Sequence, residues 1–245
     1  MHREQLRQQA RVLADSGLGP TAIARRLGLP GTTVWNWLNR TTHTPPQPCP
    51  RCDPDRGPDL GASYCYLLGQ YLGDGHLVTR AKVPVLRIYA TEVYPRIVDE
   101  IDGAIAAVRG IQPGHVTGKP GVTGVQSYWN HWPCLFPQHG PGLKHRRSIV
   151  LAGWQDEIVR KHPRELIRGL IHSDGCRVMN NVTVRGTRYS YPRYFFSNES
   201  GDIRGIFTAA LDRLGIPWRA NRVNSISVAR RTAVAALDEF VGPKH

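Results

Sequence analysis

Acidic residues are scarce in this chain: 19 Asp and Glu stand against 32 Lys and Arg among 245 residues, a formal charge of +13 at pH 7. Self-repulsion of that size gains nothing for folding, so the excess points to a polyanionic partner, most simply nucleic acid. Lysine is scarcer still, 5 against 27 arginines. Arginine suits bidentate contact with phosphates and guanine edges, although codon bias in a GC-rich genome gives the same skew. No apolar run reaches the roughly 18 residues of a membrane-spanning helix, so no membrane contact is expected. The start, MHREQLRQQARVLADS, lacks an apolar core and is not expected to act as a signal peptide. Cysteine is limited to Cys49, Cys52, Cys65, Cys134 and Cys176. That odd count without a secretion signal argues against a disulfide scaffold and fits a reducing bacterial cytoplasm, near the nucleoid. Apolar residues make up only 40%, yet 6 Trp and 9 Tyr argue for a folded chain of one or two domains.

The text divides into three parts. Residues 1–41 read as helices, with Leu6, Ala10 and Leu13 at near-helical spacing before Gly17. Residues 42–61, with six prolines between 45 and 58, read as a linker. From 62 to 245, apolar helical stretches alternate with strand-like runs, and an internal repeat appears: Tyr66-Leu-Leu-Gly-Gln-Tyr-Leu-Gly-Asp74-Gly75 matches Leu166-Ile-Arg-Gly-Leu-Ile-His-Ser-Asp174-Gly175. The two halves run over about 62–163 and 164–245.

In the first part, Ala24 suits a close helix approach, Gly28 a turn, and Pro30 the start of a further helix. Ile23, Leu27, Val34 and Leu38 would form a small core. That leaves Thr32, Thr33, Asn36 and Arg40 toward solvent or a major groove. The segment resembles the helix-turn-helix of resolvases and invertases over about 40 residues. A three-helix module for protein contact is the competing reading.

In the repeat, Gly69 and Gly73 share one helix face and Gly169 and Ser173 another, so the two helices can meet backbone to backbone. Asp74 and Asp174 then emerge side by side at helix C-termini, where two carboxylates repel strongly unless a divalent cation lies between them. Both segments resemble the LAGLIDADG motif of homing endonucleases, with Gly69, Asp74 and Gly75 identical in the first copy and Gly169, Leu170, Ile171, Asp174 and Gly175 in the second. The resemblance implies an α+β fold: a monomer of two αββαββα halves related by a pseudo-two-fold axis. It also implies Mg²⁺ or Mn²⁺ at Asp74 and Asp174, beside Gly73 and Ser173, and hydrolysis of phosphodiester bonds in both strands of duplex DNA. The family places a basic residue near the fourth strand of each half, in the stretches here occupied by Lys144 and by Arg230-Arg231.

Strand alternation sorts the next residues. Val178, Val182 and Val184 are expected toward the core, with Arg177, Met179, Asn181, Thr183 and Arg185 outward. In the first half, Leu86, Ile88 and Ala90 are expected inside, Val85, Arg87 and Tyr89 outside, and Arg80 and Lys82 beside the turn. From 176 to 198 there are four arginines, Arg177, Arg185, Arg188 and Arg193, and no acid, which favours DNA contact. Cys49-Pro-Arg-Cys52 with His43 supplies three zinc-type ligands, and His131, Cys134 and His139 form a second loose group. A structural zinc is not expected, because such a site wants four ligands and no second C-x-x-C exists.

The sequence thus supports a DNA-binding endonuclease of homing type with an added helix-turn-helix. Two alternatives share its fold: a transcriptional regulator that no longer cuts, and an RNA maturase.

Overall fold

The computed structural model describes residues 3–39, 48–55, 60–117, 119–242 and 244. The chain forms two compact units, residues 1–47 and 48–245. Arg40 and His43 lie outside the described residues, as does the side chain of Val184.

The first unit holds α1 (Arg3–Asp15), α2 (Pro20–Leu27) and α3 (Gly31–Asn39). Pro20 opens α2, where its missing N–H is no loss. Gly28, at φ +64°, ends α2 with its N–H on the carbonyls of Ala24 and Arg25. Ala10, Ile23, Ala24, Val34 and Trp37 are buried, while Leu27 and Leu38 lie at the edge of that core. Trp37, not expected inside, supplies the bulk that so small a unit needs. Thr32 is exposed, and Thr33 and Asn36 are half-buried.

In the second unit, α4 (Ala62–Leu72) leads into the hairpin β1 (Gly75–Val78) and β2 (Val85–Thr91). Next come α5 (Pro95–Arg109), β3 (Gly114–Thr117), β4 (Val122–Tyr128), the short α6 (Trp132–Leu135), a 3₁₀ turn at Lys144–Arg146, and α7 (Gly153–Lys161). The pattern then repeats with α8 (Pro163–Asp174), β5 (Gly175–Val184), β6 (Thr187–Ser197), α9 (Gly201–Arg213), β7 (Arg219–Arg222), β8 (Ser225–Val228) and α10 (Arg231–Asp238). Each half contributes a four-stranded antiparallel sheet, ordered β1-β2-β4-β3 and β5-β6-β8-β7. The chain is therefore α+β, two αββαββα halves after a three-helix unit.

Helix α4 is buried over every residue from Tyr64 to Leu72, which suits a segment apolar on all sides. It packs along α8, and the core spreads from this pair to α5, α9 and the inner sheet faces.

One expectation about the sheets is overturned. Strand β5 begins at Gly175, immediately after Asp174, and its register sets Arg177 beside the buried Tyr194. Arg177, Met179 and Asn181 therefore share the helix-side face, and Val178 and Val182 point away from the helices, 38% and 36% exposed. A one-residue error in phase turns every side chain to the other face. In the first half the expected phase agrees with the structure at Leu86 and Ile88, although Val85 is also buried.

Candidate catalytic centre and nucleic-acid interface

The contact between α4 and α8 depends on missing side chains. A Cβ on Gly69 would lie 2.6 Å from the Leu166 carbonyl oxygen and 2.8 Å from the Leu170 nitrogen. A Cβ on Gly169 would collide with the Tyr66 carbonyl, and one on Gly73 with the Ser173 side chain. The four small residues thus lie along one backbone-to-backbone seam. Gly75 and Gly175, which follow the aspartates, have a different reason. Gly175 is extended (φ −106°), so no left-handed cap is involved. Instead each strand folds back on the last helical turn, and a Cβ would lie 2.6 Å from the Tyr71 Cα or 2.7 Å from the Ile171 Cα.

This geometry sets Asp74 and Asp174 at the C-terminal ends of two touching helices. Surrounding protein and the charge of Asp174 push the Asp74 carboxyl up to about 6, although Asp74 opens to solvent. Burial also raises Asp174, but Asn198 Nδ2 donates to it at 2.6 Å and holds the shift down. Lys144 closes the α4 end: its Nζ donates to the carbonyls of Tyr71 (2.5 Å), Leu72 (3.0 Å) and Gly73 (2.7 Å). Burial lowers Lys144 to about 8, against the pull of Asp174 and Asp74. Lys244 stands at the α8 end, with Nζ 3.3 Å from the Ser173 carbonyl, and is lowered by burial for the same reason.

Lys244 was not among the sequence candidates, yet it follows Lys144 by the same 100 residues that separate the aspartates. Arg230, expected in that role, is exposed and lines a different cleft with Arg193 and Arg219. Two clefts flank the helix ends. One of about 400 Å³ holds Lys144, Asp174 and Asn198, and another of about 310 Å³ holds Asp74, Ser173 and Lys244. Gln70 and His172 serve the interior: Gln70 Nε2 donates to the Tyr66 hydroxyl at 2.9 Å, and that hydroxyl lies 3.1 Å from His172 Nδ1.

Each sheet presents a row of polar side chains on the face turned from the helices. In the first, register places His76, Arg87 and Gln126 in one row, and Tyr89 lies on the same face. In the second, Arg193 and Tyr191 share the open face with Arg219. The side-chain atoms Arg87 Nε, Gln126 Oε1, Arg193 Nε and Ser227 Oγ are shielded from solvent with no hydrogen-bond partner. Arg80, Lys82, Arg185 and Arg188 are exposed at the hairpin ends. Arg177 is not available for such contact. Its Nε and Nη2 donate to the Asp238 carboxylate at 2.7 and 2.8 Å, which corrects its expected outward position. Gln126 and Arg219 escaped the sequence reading because the strands carrying them have no clean alternation.

The cysteines also differ from expectation. The second pair of ligands that Cys49 and Cys52 lack in sequence is supplied by the fold, which brings His131 and Cys134 to them. His139 stands apart, with Nδ1 on the Phe136 carbonyl at 3.2 Å.

Residues 1–47 match the family model of homeodomain-like domains. No curated protein matches the chain by sequence. Among solved structures, the chain is similar to the I-SmaMI LAGLIDADG homing endonuclease bound to cleaved DNA, with TM-score 0.48 and 8% identity over 76% of this chain and 84% of that one. The LAGLIDADG meganuclease I-AabMI bound to uncleaved DNA gives TM-score 0.48 and 8% identity over 72% and 82%. I-SmaMI bound to its uncleaved DNA target with calcium ions gives 0.46 and 6% over 76% and 86%. By these comparisons the chain is similar to homeodomain-like domains at residues 1–47 and, across about three quarters of its length, to LAGLIDADG meganucleases.

Proposed function

We propose that this protein binds duplex DNA through both units and hydrolyses phosphodiester bonds at the paired ends of α4 and α8, acting as a monomer. The observation that carries the proposal is the convergence of two carboxylates of raised pKa, each in a cleft with a lysine, at the ends of helices in backbone contact. Acids held at negative helix ends call for a cation. The donors are carboxylate oxygens of Asp74 and Asp174, with the carbonyls of Gly73 and Ser173 beside them, and an oxygen-only set fits Mg²⁺ or Mn²⁺. When bound, such an ion polarises the scissile phosphate and activates a water nucleophile.

The protein's own groups then have distinct tasks. Asn198 orients Asp174, and Lys144 and Lys244 offer positive charge to the phosphate as its charge builds in the transition state. Arg87, Arg193 and Arg219 on the open sheet faces supply contacts to base edges and phosphates. Thr32, Thr33 and Asn36 of α3 would read a second stretch of DNA, raising the local concentration of the cutting unit.

A second reading, a regulator that binds without cutting, draws on one observation. The Lys144 ammonium already bonds three carbonyls at the α4 end, meeting part of the demand for a cation. Selecting bound duplexes from a random pool and incubating them with the full chain and Mg²⁺ or Mn²⁺ separates the two. Double-strand scission supports the nuclease; tight binding without scission under either ion supports the regulator.

A further inference from the structure

Ahead of α4, residues 49–52 form a tight knuckle. The N–H groups of Cys52 and Asp53 donate to the Cys49 carbonyl at 3.0 and 2.8 Å. Cys49 is buried in the main core of the second unit, and the Arg51 guanidinium lies 4.5 Å from the centre of the Trp154 ring. The segment is therefore an integral part of the second unit.

Against this knuckle the fold brings the start of α6, where His131 is the N-cap residue and Cys134 lies in the only turn. Cys52 Sγ is 3.4 Å from His131 Nδ1 and 3.7 Å from Cys134 Sγ, and Cys134 Sγ is 3.9 Å from His131 Nδ1. With Cys49 Sγ included, the four ligand atoms lie within 4.8 Å of one another. A tetrahedral zinc, at about 2.3 Å from sulfur and about 2.0–2.1 Å from nitrogen, sets sulfurs about 3.8 Å apart and sulfur from nitrogen about 3.5 Å apart. The spacings among Cys52, His131 and Cys134 match that solid closely.

We propose that Cys49, Cys52, His131 and Cys134 form a structural Zn²⁺ site, a Cys₃His clip. Three soft thiolates and one imidazole select zinc over the hard cations suited to the aspartates. Four protein ligands leave no open position, so the clip is structural and takes no part in catalysis. The clip joins chain segments 79 residues apart, measured from Cys52 to His131. It fastens the stretch entering α4 to the loop running from β4 toward Lys144. Neither C-x-x-C nor H-x-x-C makes a site alone, which is why each half fell short in the sequence.

The test uses the full chain purified without chelator. Elemental analysis is expected to give one zinc per chain. Replacement by Co²⁺ is expected to give the intense visible absorption of a tetrahedral thiolate complex. Cys52→Ser and Cys134→Ser are expected to lose the bound metal and that spectrum, and His139→Ala to retain both. Removing zinc with a strong chelator lowers the melting temperature of the wild type, and returning zinc restores it. The proposal is overturned if the wild type holds no zinc and gives no tetrahedral cobalt spectrum, or if Cys52 and Cys134 are found joined as a disulfide. It is also overturned if both serine variants keep full occupancy. The wild-type spectrum decides the matter even where a variant does not fold.

Discussion

Alanine in place of glycine in a helix normally stabilises, by about 1 kcal/mol. At Gly69 the structure reverses that sign. The new Cβ would lie 2.6 Å from the Leu166 oxygen, and an ordinary contact of 3.4 Å requires α4 and α8 to part by roughly 0.8 Å. Both helices are buried in a shared core, so parting them loosens every layer between the sheets. Overpacking of this kind costs about 1–3 kcal/mol, and more where the obstacle is backbone. The net expectation for Gly69→Ala is a loss of about 1–2 kcal/mol. For a unit of this size that lowers Tm by roughly 2–8 °C. Gly103 and Gly205 serve as controls: both are exposed on helices with nothing within 4 Å of an added Cβ. Gly103→Ala and Gly205→Ala should each raise Tm by a few degrees, read by circular dichroism melts. If Gly69→Ala or Gly169→Ala raises Tm as the controls do, the close seam that positions the aspartates is wrong.

Asp74 is held at about 6, above its ordinary 3.8, so folding favours its protonated form. That contribution is complete below pH 3.8 and is lost as pH rises through about 6; metal-free protein should therefore lose stability over this range more steeply than Asp74→Asn, and Mg²⁺ should reverse the difference in thermal melts. Lys144→Ala and Lys244→Ala should each slow cleavage roughly 10-fold or more with little change in DNA affinity, measured by single-turnover kinetics beside a binding assay. Arg177→Ala should cost about 1 kcal/mol of stability, because it releases Asp238, and leave the salt dependence of DNA binding unchanged. Arg193→Ala should flatten that salt dependence instead.

The features legible in the sequence were those carried by local pattern. The motif helices announced themselves because Gly69, Gly73 and Gly169 recur at fixed spacing before Asp-Gly, and Gly28 marked its turn by a conformation that glycine adopts readily. Strand phase was less secure. Val178 and Val182 are apolar and alternate, but they sit on a long hairpin beyond the cover of the helices, where burial no longer selects residue type. Strand β3 carries no local signal of its own, because its four residues, Gly-His-Val-Thr, are mostly exposed and have no apolar period. Lys244 could have been found from the sequence by applying the 100-residue offset to Lys144. The cysteine cluster could not: nothing local relates Cys52 to His131, and only the packing of α6 against the segment before α4 joins them.

The most direct test of the central claim is cleavage of a selected duplex by wild type, Asp74→Asn and Asp174→Asn, with DNA affinity measured in parallel. Each variant keeps the shape of its carboxylate and removes the charge that would hold the cation. The expected result is Mg²⁺-dependent scission by wild type, with equal binding but a rate lower by at least about 100-fold in either variant. Undiminished cutting by Asp74→Asn and Asp174→Asn would contradict the assignment of the helix ends as the reactive centre.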